Sequence, residues 1–192
     1  METNIFMIFI SGVLINNFVL SRFLGICPFL GVSKRLETAL GMSLAVLFVS
    51  VCSSVFAFII YEFLLTPFSL QYMSTVVFVL IMASFVQLTE MLVKRYSPLL
   101  HESLGIYLPL LTTNCAVLGV LVLNMQSGFD MLSATVNAVG VSVGFAVAIM
   151  LFAGIRERLV FADVPKCFQG FPIAMIIAGL MSIAFLGFAG LA

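Results

Sequence analysis

Charge is what this sequence has least of. Eight Lys and Arg, eight Asp and Glu and one His serve 192 residues, so 8% of the chain is charged, against about 25% in an ordinary soluble domain. Neither sign is in excess and the formal net charge is zero, which leaves no polybasic arm for nucleic acid. Cysteine is sparse too: there are four, with no Cys-x-x-Cys spacing to mark a metal site. What is present in abundance is apolar, with 63% hydrophobic residues, 20 Phe, 11 Met and a mean hydropathy of +1.28. That much apolar surface cannot be hidden in one globular core. A soluble enzyme, a disulfide-stapled secreted domain and a disordered tail are excluded. An integral membrane protein remains.

A membrane-crossing helix takes about 20 mostly apolar residues, and the charges divide the chain into six such stretches. They run over Ile5–Leu24, Ala39–Leu64, Tyr72–Val93, Leu99–Leu123, Leu132–Ile155 and Phe171–Leu191. The runs are continuous and do not alternate apolar with polar, so the expected fold class is all-α rather than a barrel. No basic residue precedes the first run and no small-residue cleavage site follows it, so it reads as a retained span and not a signal peptide. Arg22, Lys34 and Arg35 fall between spans one and two, Lys94 and Arg95 between three and four, and Arg156, Arg158 and Lys166 between five and six. All the basic residues therefore lie in odd-numbered connections, which the positive-inside rule makes cytoplasmic, with both termini outside. Glu2, Glu62 and Asp130 stand in the segments assigned to the other side.

Two echoes suggest an internal repeat. Cys27-Pro28-Phe29-Leu30-Gly31-Val32 and Cys115-Ala116-Val117-Leu118-Gly119-Val120 share Cys, Leu, Gly and Val at matching offsets, 88 residues apart. Ala39-Leu40-Gly41-Met42-Ser43 likewise resembles Ala138-Val139-Gly140-Val141-Ser142. The chain is thus read as one membrane domain over 1–192, with repeat one over about 1–95 and repeat two over about 96–192. Three spans per half is an odd number, so the halves are inverted in the membrane, an arrangement that places functional sites near the midplane. Both Cys-bearing segments carry helix-breaking or polar residues: Asn16-Asn17, Arg22, Gly25 and Pro28 in one, Gly105, Pro109 and Thr112-Thr113-Asn114 in the other. Such residues inside lipid must face protein or a cavity, or else hydrogen-bond one helix to the next.

Of the cysteines, Cys52 sits among Val51, Ser53 and Ser54 and reads as a small buried residue. Cys167 lies in the last cytoplasmic connection and reads as a thiol in a reducing compartment. Cys27 and Cys115 are paired by the repeat, and two readings of them stay open. They are small packing residues, or they supply half the ligands of an iron–sulfur cluster held by four cysteines, a second protein giving the rest. Straight helices would carry Cys27 towards the cytoplasmic face and Cys115 towards the outer one. Only broken or tilted spans bring both to the middle.

The segments Asn16-Asn17-Phe18-Val19-Leu20, Leu24-Gly25-Ile26-Cys27-Pro28-Phe29 and Leu108-Pro109-Leu110-Leu111-Thr112-Thr113-Asn114-Cys115-Ala116-Val117-Leu118-Gly119 resemble the family of Rnf complex A subunits. So do Gly154-Ile155-Arg156-Glu157-Arg158-Leu159, Asp163-Val164-Pro165 and the closing Ala178-Gly179-Leu180-Met181-Ser182. The E subunit of the sodium-pumping NADH:quinone reductase shares the scheme, but Asn16-Asn17 and Cys27-Pro28 fit the Rnf protein better.

The resemblance implies a six-helix, electron-transferring subunit of an ion-translocating ferredoxin:NAD oxidoreductase in a bacterial inner membrane. It implies a homologous, oppositely oriented partner, the Rnf E subunit, and a shared [2Fe–2S] cluster whose ligands from this chain are Cys27 and Cys115. Ferredoxin and NAD chemistry would belong to the other members of the complex, its B, C, D and G subunits. Ser133-Ala134-Thr135 lacks the glycine of a flavin attachment motif, so no covalent flavin is expected. Asn16, Thr112, Thr113 and Asn114 are candidates for lining an ion environment, with helix-to-helix hydrogen bonding as the alternative. Glu90 and Glu102 read as interfacial charges. A secondary transporter or a purely structural membrane subunit would share the repeat but hold no iron.

Overall fold

The computed structural model describes residues 5–15, 17–33, 35–66, 73–96, 114–159, 161, 165 and 167–189. Seven α-helices lie among the described residues, with no strand. These are α1 (Ile5–Ile10), α2 (Ile26–Val32), α3 (Leu36–Ile60), α4 (Ser74–Tyr96), α5 (Cys115–Gln126), α6 (Met131–Leu159) and α7 (Phe171–Ala189). A wider π-helical turn, Ser11–Ile15, continues α1, and a second, Tyr61–Leu65, continues α3. Three segments are long and apolar enough to cross a bilayer: Leu36–Phe63, Ser74–Arg95 and Met131–Leu159. Cys115–Gln126 and Phe171–Gly187 are shorter apolar helices.

Spans two, three, five and six expected from the sequence therefore appear as α3, α4, α6 and α7. Span four is described only from Asn114 onward; Gly105, Pro109, Thr112 and Thr113 lie outside the described residues, as do Asn16 and Glu102. Span one is not a single helix. Helical winding ends at Ile15 and resumes at Ile26 as the short α2. Between them the chain turns, and its polar groups are met from inside the protein. Asn17 donates Nδ2 to the Gly144 carbonyl at 2.9 Å and accepts from the Val19 amide at 3.2 Å. The Asn17 carbonyl accepts from the Ser21 amide and hydroxyl, each at 2.8 Å, and Ser182 Oγ donates to the Leu20 carbonyl. In hydrocarbon an unmet backbone group costs several kcal/mol, so this break exists because Asn17, Ser21 and Ser182 are there to fill it.

The centre of the fold is the pairing of α3 with α6, the most extensive contact among the described helices. Val46 and Val49 of α3 and Ala148, Ile149 and Phe152 of α6 belong to one buried cluster, where the Phe29 ring of α2 stacks on Phe152 with centroids 4.5 Å apart. In lipid such packing works through close contact rather than release of water. Small residues make the closeness possible. Gly12 and Val13 run beside Gly140 and Gly144 of α6 so tightly that a methyl at Gly144 would lie 2.9 Å from the Val13 carbonyl oxygen and 3.1 Å from that of Gly12.

That contact gives a direct check. Gly144→Ala presses on backbone that cannot swing aside and should destabilise the protein by about 1–3 kcal/mol. Gly154→Ala, with nothing within 4 Å of the added methyl, should leave unfolding unchanged. Thermal unfolding of the two variants in detergent separates them.

Candidate functional site

α6 organises the site. From Met131 to Leu159 its middle residue is Phe145, and opposite Phe145 the starts of α2 and α5 meet. Gly25, the residue before α2, adopts φ +88°, a left-handed conformation open to glycine at little cost. A methyl there would lie 3.1 Å from Ala116 Cβ, 3.3 Å from Asn114 Oδ1 and 3.5 Å from the Phe145 ring. Gly25 thus lets the backbone before α2 touch the first turn of α5.

From this junction the two helices diverge. α2 runs along the second half of α6 towards Arg156, which donates Nη1 to the Leu30 carbonyl at 3.0 Å and to Ser33 Oγ at 2.9 Å. The same guanidinium stands 5.8 Å above the Phe152 ring. A cation at the last carbonyls of a helix is favourably placed against the helix dipole. α5 runs the other way, returning through Ser127–Asp130 to the start of α6. At about 1.5 Å per residue the 12 residues of α5 rise about 18 Å, roughly half of the ~30 Å hydrocarbon core. The starts of these two short helices meet opposite Phe145. Each cysteine opens a partial-length helix at the centre of the fold.

Cys27 is the second residue of α2 and Cys115 the first of α5, and both are exposed on this chain. Cys27 opens on a groove of about 580 Å³ lined by Ile26, Leu30, Gly31, Arg156 and Phe171. Cys52 is half-buried within α3, and Cys167 is exposed near the start of α7. Asn114 caps α5, accepting from the Ala116 amide at 3.0 Å through Oδ1. Its Nδ2 is buried without a hydrogen-bond partner. A buried donor left unmet costs about 1–3 kcal/mol, so an acceptor is wanted beside Cys115. Among the described residues no three His, Cys, Asp or Glu side chains cluster as a metal site. Two thiols with an adjacent unmet donor fit half of a thiolate-ligated cluster, whose sulfur atoms accept hydrogen bonds.

Glu90 lies half-buried near the end of α4, away from this junction. Arg22 lies in the connection between α1 and α2. It lines a cavity of about 320 Å³ with Ser11, Ser127, Phe129 and Asn137, its guanidinium 5.9 Å from the Phe18 ring. Sequence reasoning also passed over a set of buried polar side chains. Asn137 Nδ2 donates to Asn124 Oδ1 at 2.7 Å; Asn124 Nδ2 donates to the Ala134 carbonyl at 3.0 Å and to Ser54 Oγ at 3.4 Å. Ser50 and Ser142 share a hydrogen bond between α3 and α6. The available signal was spacing: Ser50, Ser53 and Ser54 lie three and four residues apart, on one helix face.

A helical membrane protein in which two short helices, each with a cysteine in its first turn, meet centrally is the class that this geometry defines. Comparison with known proteins narrows it: a family described as Rnf-Nqr subunit, membrane protein, matches residues 5–192. The chain belongs to the Rnf-Nqr family of membrane subunits. It is 56% identical over 184 residues, 96% of each chain, to the A subunit of the Na(+)-translocating ferredoxin:NAD(+) oxidoreductase complex of Acetobacterium woodii. It is 54% identical to the A subunit of the ion-translocating oxidoreductase complex of Syntrophotalea carbinolica, over 98% of this chain and 97% of that one. The corresponding Shewanella denitrificans protein is also 54% identical, over 98% of each chain.

The Arg156 anchor can be tested separately from any cofactor. Arg156→Ala strips the donor from Leu30 and Ser33 and should cost about 1.5–3 kcal/mol, the usual range for a hydrogen bond to a charged group. Arg156→Lys should recover part of that loss. Unfolding midpoints of the purified membrane protein report both.

Proposed function

We propose that this chain is an electron-transferring subunit of an Rnf-type, ion-translocating ferredoxin:NAD oxidoreductase in a bacterial inner membrane. Cys27 and Cys115 provide two of the four ligands of a [2Fe–2S] cluster, and a homologous, oppositely oriented partner, the E subunit of the complex, provides the others. The observation that carries the reading is the meeting of α2 and α5 opposite Phe145, with an exposed cysteine at the start of each. The names of the relatives supply the complex and its ion translocation.

The architecture accompanying this reading is six spans in a three-plus-three inverted repeat, with odd-numbered connections cytoplasmic and both termini outside. The opposite directions of α2 and α5 from one point are what such an inversion produces. The B, C, D and G subunits provide the ferredoxin and NAD sites, and this chain carries no covalent flavin.

A [2Fe–2S] cluster supplies one-electron storage, dividing a crossing of about 30 Å into shorter transfers. The protein's part is placement and charge. Asn114 directs an unmet N–H beside Cys115, and the N-terminus of α5 favours negative charge at its first residue. Phe145 and Ala116 pack against Gly25 on the inner side of the junction. Arg156 holds the far end of α2, fixing where Cys27 begins. Extra negative charge in so apolar a place is expensive unless balanced. Movement of a cation towards the junction balances it and couples electron transfer to ion transport.

The test is an EPR spectrum with iron and sulfide counts on the purified complex, comparing wild type with Cys27→Ser and Cys115→Ser. A reducible two-iron signal lost in both variants is the expected result. An iron-free complex, or a signal indifferent to both changes, overturns the ligand assignment and leaves a transporter-like or structural membrane protein.

A further inference from the structure

The 320 Å³ cavity beside Arg22 has walls of two kinds. Met7, Ile8, Phe18 and Leu123 contribute apolar surface, while Ser127, Asn137 and Arg22 bring polar groups to it. Arg22 is the one charged side chain among the residues that line it. A guanidinium carries five N–H donors and accepts nothing. Here it stands over the Phe18 ring, and no carboxylate or other oxygen among the described residues meets it. Asp130, next to the wall residue Phe129, is exposed and does not pair with it. The residue that follows Arg22 is Phe23, 60% exposed. An unpaired cation beside an exposed aromatic ring is the pattern of a boundary between hydrocarbon and head groups.

The position of Arg22 sets it apart from the other basic residues. α3 and α6 are antiparallel, because Ser50 meets Ser142 and Ser54 reaches the Ala134 carbonyl. α4 is antiparallel to α3 in turn, since Phe56 packs on Phe85 and Tyr61 on Phe78. Arg35, Lys94, Arg95, Arg156 and Arg158 therefore gather at one end of the bundle. The Arg22 cavity lies at the other end, where α5 turns through Ser127 and Phe129 into α6. A single cation held there among apolar side chains is costly without a counter-charge. No described residue supplies one, so the anion comes from outside the chain.

A bilayer offers such an anion at each of its surfaces, the phosphodiester of a phospholipid, and basic pockets between membrane helices hold these head groups. The planar guanidinium fork matches two phosphate oxygens. The Ser127 hydroxyl stands on the same wall, and Asn137 Nδ2, with one proton given to Asn124, keeps a second to donate. The apolar wall then meets carbon rather than water. We propose that the Arg22 cavity is a phospholipid site, in which the guanidinium holds the headgroup phosphate and Met7, Ile8 and Leu123 take the start of an acyl chain. The site is independent of the cysteine junction and stands whether or not a cluster is bound there.

The experiment places the whole complex in phosphatidylglycerol vesicles doped with a photoreactive phosphatidylglycerol that carries a diazirine near the glycerol. After illumination, adducts are mapped by mass spectrometry on the peptides that hold Met7 and Leu123, with the rest of this chain as the control. The wild type should be labelled at both cavity peptides. In Arg22→Gln that labelling should fall about tenfold against the control, as expected for loss of a charge-assisted contact. A photoreactive diacylglycerol, with the same tails and no phosphate, should leave the cavity peptides at the level of the control. Equal cavity labelling in Arg22→Gln, or by the diacylglycerol, overturns the proposal. So does a wild-type cavity that stays unlabelled, which would show it covered by a partner protein. Displacement of the label by excess inorganic phosphate overturns it too, in favour of a free anion. Should Arg22→Gln fail to assemble, the comparison of the two photoreactive lipids on the wild type decides alone.

Discussion

Everything in this fold follows from a helix that stops inside the protein. A chain leaving helical geometry in hydrocarbon exposes amides and carbonyls that lipid cannot satisfy. Here the stop is made tolerable by Asn17, whose side chain reaches the Gly144 carbonyl on α6 and returns to the Val19 amide. Ser21 and Ser182 take up carbonyls of the same turn. Without those three side chains the polar groups of the turn would be left unmet, and the meeting of α2 with α5 would lose its support.

The partners of the break are themselves constrained. Gly144 has to lack a side chain because the turn that continues α1 lies against it, and the same closeness exposes its carbonyl to Asn17. Gly25 has to be glycine because its backbone is left-handed and pressed against Asn114 and Ala116. Gly119 is held in the same way by Leu24 and Phe18, which come from the turn itself. Contacts of this kind replace the hydrophobic drive that a soluble protein would use. They also explain why the long helix α6 is the reference for the rest: it touches α1, α3, α5 and α7.

Much of this was written openly in the sequence. The scarcity of charge gave the membrane class, and the charged residues marked α3, α4, α6 and α7 to within a few positions. Asn17, Gly25 and Pro28 announced the broken span, and the repeat singled out Cys27 and Cys115 from four cysteines. That Arg22 lines a cavity with Ser11, Ser127 and Asn137 was not legible, because the turn that begins at Asn17 is a tertiary feature. Asn124 and Asn137 escaped notice for a different reason. In lipid both faces of a helix are apolar, so periodicity does not say which polar residue looks inward. Only their pairing across the turn at Ser127–Asp130, visible in three dimensions, shows that they act together.

The two cysteine helices depart from one pivot in opposite directions, and they are not tethered alike. The far end of α2 is clasped by the Arg156 guanidinium. The far end of α5 closes on a turn capped by backbone bonds from Ser127 and Gly128. Near that turn Asn124 is itself hydrogen-bonded to Ser54 of α3 and to Ala134 and Asn137 of α6. A see-saw with both arms bolted is a truss, and its fulcrum is a fixed point braced from two sides.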